Sequence, residues 1–126
     1  MNMSNWFLRM AVVYFVLGVL LGNVMGSSHD FTLKSVHVHL NLLGWASMFL
    51  IGLWYRAVPA SAGTTLAKVH FWLHSVGLPI QAVALTMYLQ GNKSFEPILG
   101  AASSVVGIGI LCFAINLWKH TGASDA

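Results

Sequence analysis

Four apolar stretches, roughly 6–25, 36–58, 66–89 and 97–118, fill most of this 126-residue chain. Each has about the 20 residues that an α-helix needs to cross the hydrocarbon core of a bilayer. The breaks between them are short and rich in turn formers: Gly26-Ser27-Ser28-His29-Asp30, Pro59-Ala60-Ser61-Ala62-Gly63 and Gly91-Asn92-Lys93-Ser94. The spacing predicts one all-α domain over 1–126, an integral membrane four-helix bundle with short loops. No room remains for a separate soluble domain. Charged residues make up 7% of the chain, against about 25% in a soluble domain. Hydrophobic residues make up 57%, which excludes disorder, since disorder needs low hydrophobicity and high charge. Arg9 ahead of an apolar run, with Gly26-Ser27-Ser28 behind it, has the outline of a secretion signal. The run is long for such a signal, so it reads as a retained helix.

The few charges set an orientation. Arg9, Arg56, Lys68 and Lys119 fall on one side, and Lys34 and Lys93 on the other, beside Asp30 and Glu96. Positive residues concentrate on the cytoplasmic side, so both termini are expected there, in a bacterial inner membrane. A net charge of +3 spread over helix ends is the ordinary flanking charge of a membrane protein. It does not imply nucleic acid. All three acids, Asp30, Glu96 and Asp125, lie in loops or the tail. A pump usually carries a carboxylate within the membrane, so a pump is disfavoured. The lone Cys112 forms no intrachain disulfide and reads as a buried spacer. Gly18, Gly22 and Gly26 on helix 1, and Gly100 with Ser104 and Ser103 with Gly107 on helix 4, have the small-xxx-small spacing that lets helices approach closely. They read as packing within the bundle, with oligomer contact as the sharper alternative.

Six histidines are the unusual feature. His37 and His39 open helix 2. Two residues on a helix are about 200° apart, so the rings leave opposite faces and serve different pockets, or else both simply meet water at the interface. His70 and His74 are four apart on helix 3 and share a face. That spacing can hold one metal; the plainer reading is a wet helix end beside Lys68 and Trp72. Running helices 2 and 3 as antiparallel rods puts His74 at the depth of about Phe49, some 15 Å below His39. The two pairs therefore would not share one ligand within a protomer. His29 and His120 read as solvent-facing.

Val36-His37-Val38-His39-Leu40, continuing through Gly44, Met48-Phe49-Leu50, Gly52 and Tyr55 to Pro59, resembles the tenth helix of subunit I of the haem-copper oxidases. The segment Lys68-Val69-His70-Phe71-Trp72-Leu73, then Gly77, resembles the start of the eleventh. Together they cover about half of the chain. The resemblance implies that His37 and His39 each ligate a haem iron, on either side of their helix. It assigns no metal to the His70 position. The family's twelve helices form three four-helix arcs; this chain resembles one arc and lacks the other ligands, so one copy holds no complete oxidase active site. Three copies would close the ring as a homotrimer, with His37 of one subunit and His39 of the next meeting at each interface.

The expected function is a haem b-binding membrane protein for electron transfer or for binding a diatomic gas such as nitric oxide or oxygen. Trp45, Trp54, Phe49, Phe71 and Trp72 could wall a macrocycle, and Lys34 would partner its propionates. One alternative is metal-ion binding or transport, copper above all, using histidines with Met25, Met48 and Met87. Another is a structural or assembly subunit of a respiratory complex. No catalytic acid–base or nucleophile arrangement is visible, and enzyme activity is not expected.

Overall fold

The computed structural model describes residues 1–122 and is all-helical there; Asp125 lies outside the described residues. Helix α1 spans Met3–Ser28. The Asn2 side chain accepts from the Asn5 amide at 3.0 Å and so satisfies one of the free donors at its start. His29 ends it in the left-handed conformation, with φ 56°, a position more often taken by glycine. The loop then tightens: the Thr32 amide and hydroxyl both donate to Asp30 Oδ1, at 3.0 and 2.6 Å.

The second apolar stretch is one helical rod of three parts. Helix α2, Lys34–His39, runs into a π-helical segment, Leu40–Ala46, and out again as α3, Ser47–Ala57. Pro59 disfavours helical geometry at Val58, whose ψ is 73°, and itself opens the short turn α4, Pro59–Ala62. Helix α5 is Thr65–Leu89, capped by the Thr64 hydroxyl. Helix α6 is Glu96–His120, with a proline in its first turn where no amide is needed.

Three stretches are long and apolar enough to cross a membrane: Met3–Ser28, Lys34–Ala57 and Lys93–His120. Helix α5 is as long but more polar, and it occupies the interior. His70, His74 and Gln81 are buried on it, between α6 on one side and the α2–α3 rod on the other.

Neighbouring rods run antiparallel. The Ser4 hydroxyl donates to Gly52 O at 2.8 Å, Gln81 Nε2 to Ser103 Oγ at 2.8 Å, and Asn116 Nδ2 to Ser61 O at 2.9 Å. The start of α1, the α4 turn and the end of α6 thus share one end of the molecule. Asp30 and Gly91 share the other, around an open cavity of about 650 Å³. The core holds Phe7, Met48, Tyr55, Phe71 and Leu78. Helices α1 and α6 do not pack along one another, so the four rods form an open arc. The outward sides of these two helices, among them Val12, Val16, Leu20, Ile108, Leu111 and Ile115, stay exposed.

The glycines divide accordingly. Gly18 lies under Asn41 and Gly22 under His37, so the helix 1 pair seats the α2–α3 rod. Gly26, Gly100 and Gly107 face open space. Cys112 is half-buried, not buried as its apolar setting suggested. The reason is that α6 is an outer helix with one packed side.

Candidate functional site

His37 and His39 share a chemical arrangement. His37 Nδ1 lies 2.9 Å from Gly18 O on α1. A carbonyl only accepts, so Nδ1 carries the proton and Nε2 keeps a free lone pair. The Asn41 amide is committed to the His37 carbonyl at 2.8 Å and only brushes Nδ1 at 3.3 Å. His39 Nδ1 lies 2.7 Å from Ser35 O, one turn back on its own helix; the same argument leaves its Nε2 as a lone pair. Metal-ligating histidines are usually fixed in this way, with one ring N–H given to a carbonyl. The donor set therefore fits axial ligation of a haem iron.

The two rings do different structural work. His37 is seated on Gly22, where a Cβ would come within 2.9 Å of its Cε1. His39 bonds only within its own helix. Both are half-buried, and neither lines the 650 Å³ cavity at this end of the arc. Lys34 is exposed in the first turn of α2. Trp45 lies against Phe15, with ring centres 4.3 Å apart, and Phe49, at 5.1 Å. It belongs to an aromatic row on the α1 side of the rod.

His70 and His74 are not wet interfacial residues: both are 0% exposed. The expectation failed because α5 is the inner helix, and its histidine face looks into the arc. His74 Nε2 lies 2.9 Å from Leu43 O, only four residues, or about 6 Å of helix, along from His39. The straight-rod register placed it nearer the depth of Phe49.

The pair belongs to a continuous chain of hydrogen bonds. Tyr55 Oη lies 3.3 Å from His70 Nδ1, and His70 Nε2 lies 3.1 Å from His74 Nδ1. One direction of donation satisfies it. Leu43 O can only accept, so His74 Nε2 carries its proton and Nδ1 accepts from His70 Nε2–H. His70 Nδ1 then accepts from the Tyr55 hydroxyl. Phe7 stacks on the His70 ring at 5.0 Å, and Phe113 covers it from α6 at 5.1 Å. All four ring nitrogens are engaged, and none is free for a metal. Among the described residues no group of three or more His, Cys, Asp or Glu side chains could hold a metal ion.

Phe7, Tyr55, Phe113 and Asn116 enter this site without having been singled out for it from the sequence. Asn116 carried a usable signal. A lone amide deep in an apolar stretch needs a partner, and its Nδ2 finds Ser61 O. His29 is exposed, whereas His120 is half-buried, with Nδ1 2.8 Å from Asn116 O.

The chain matches no family model, no curated protein and no solved structure.

Proposed function

We propose that this chain is an integral membrane protein that binds haem b through His37 and His39, for electron transfer or for binding a diatomic gas. The observation that carries this reading is the pair of free Nε2 lone pairs, each fixed by an Nδ1–H bond to a backbone carbonyl. Helix α5 is taken as the fourth crossing, with both termini in the cytoplasm of a bacterial inner membrane. The resemblance to a haem-copper oxidase arc supplies the rest. Three copies close a ring, and each interface receives His37 from one subunit and His39 from the next. The open arc supports a site between subunits, because it leaves the apolar outer sides of α1 and α6 exposed for a neighbouring copy. When bound, the haem supplies one-electron chemistry, or an open axial position for a gas. Lys34 offers a cation to the propionates, and Trp45 an apolar wall.

The test is the visible spectrum of the detergent-purified protein, oxidised and dithionite-reduced, for the wild type, His37→Ala and His39→Ala. A Soret band with sharp reduced α and β bands, lost in both variants, is the expected result. Loss in neither variant would overturn the ligand assignment. No Soret band after haem supplementation would remove the haem reading in favour of metal-ion handling, to be followed by metal analysis.

A further inference from the structure

The Tyr55–His70–His74 chain has no part in the haem reading and needs its own account. It is buried, and its Tyr55 end lies toward the termini end of the arc. Tyr55 lines an open cavity of about 330 Å³ at the termini end, together with Asn2, Arg56, Pro59 and Gly63. The other end stops at Leu43 O, which can accept a proton's hydrogen bond but cannot pass the proton on. Such a chain admits a proton and holds it. It does not conduct one through.

We propose that His70 and His74 form a proton-binding site, loaded from the aqueous cavity through Tyr55, with the proton held on His74 against the Leu43 carbonyl. The transfer balances bond by bond. Water in the cavity, as hydronium, gives a proton to Tyr55 Oη while the original hydroxyl proton passes to His70 Nδ1. The His70 Nε2 proton passes to His74 Nδ1. His74 ends as the imidazolium, with Nε2–H still on Leu43 O and Nδ1–H on the bare Nε2 of His70. His70 stays neutral in its other tautomer. One proton enters, and only O–H and N–H bonds form and break.

Two independent observations favour this use. After loading, the His70 Nδ1–H points at Tyr55 Oη, so the tyrosine proton needs a new acceptor. Asn116 stands beside Tyr55, is 0% exposed, and its Oδ1 is buried without a partner. In the loaded state that oxygen is the proposed acceptor of the tyrosine proton. Second, Phe7 and Phe113 present their rings to His70 at 5.0 and 5.1 Å. Aromatic faces at this distance stabilise a cation as the charge passes through. The other titratable groups around the pair are few. They are Tyr14 from α1 on Gly44, next to Leu43; exposed Arg56 from α3; Cys112 from α6; and exposed Lys68 on α5. The described carboxylates, Asp30 and Glu96, lie at the opposite end of the arc.

The test is ¹⁵N NMR of histidine-labelled protein in detergent micelles, titrated from neutral pH to the acid limit of its helical circular dichroism. At neutral pH each of the two rings should carry one proton, on Nε2. On acidification His74 should gain an Nδ1 proton while, in the same step, the His70 proton moves from Nε2 to Nδ1. Tyr55→Phe keeps the ring packing and removes the hydroxyl. It should slow exchange of these ring N–H groups with deuterated solvent at least about tenfold. A His70 that keeps its Nε2 proton throughout the folded range would overturn the proposal. So would Tyr55→Phe rings that exchange as fast as wild type.

Discussion

Burial presses the nitrogens and oxygens of histidines and amides to find partners, since an unpartnered polar group in an apolar interior costs about 1–3 kcal/mol. His70 and His74 meet this condition through Tyr55 and Leu43 O. Their i, i+4 spacing made a shared face legible in the sequence. It did not say which way the face looked, because that depends on which helix is central. Asp30 shows the opposite limit, where local sequence is enough. The Thr32 hydroxyl and then the Thr32 amide hold its carboxyl below the ordinary carboxylate range. The charged form is therefore favoured in the folded loop. Its stabilising contribution is fully present above the unfolded-state value, about 3.9, and is lost as pH falls through the lower folded value. The Thr32 amide resonance should accordingly titrate with a midpoint below that value, and the transition should vanish in Asp30→Asn. A midpoint at the ordinary value would remove the turn as its cause.

At the scale of elements, the π segment Leu40–Ala46 sets the relation between the upper and lower parts of the second rod. π turns inside α-helices often mark functional positions, and this one lies between His39 and Met48 and supplies the Leu43 carbonyl. No hydrophobic period forecasts it, since the stretch is apolar but for Asn41 and a uniform helix reads equally well. Gly44 lies within it, where a Cβ would come within 2.5 Å of Tyr14 Cγ. Gly44→Ala should therefore lower stability by about 1–3 kcal/mol, the usual cost of overpacking a filled interior. Gly107→Ala, with nothing near its Cβ position, should be close to neutral. Thermal unfolding of both variants in one detergent checks the contrast. Equal losses would mean that the close approach of Tyr14 to Gly44 does not set the cost.

At the scale of the whole molecule, the arc leaves α1 and α6 with apolar outer sides and the small residues Gly100, Ser104 and Gly107 exposed. The proposed ring makes a direct prediction: native mass spectrometry from mild detergent should give three copies, and Gly107→Trp should shift the population toward smaller species. A wild-type protein that is monomeric throughout would exclude the ring. The helical class, the number of long segments and their boundaries to within a few residues were determined by the sequence alone. They follow from apolar length and from Gly, Pro and Asx residues, which act within a few positions of chain. Tertiary structure alone decided that α5 lies inside, that Gly18 O meets His37, and that Tyr55, Asn116 and Phe113 gather around His70. Those contacts join residues on different helices, as His37 to Gly18 and Tyr55 to His70, and nothing local in an almost uniformly apolar chain records which side of each helix will be covered.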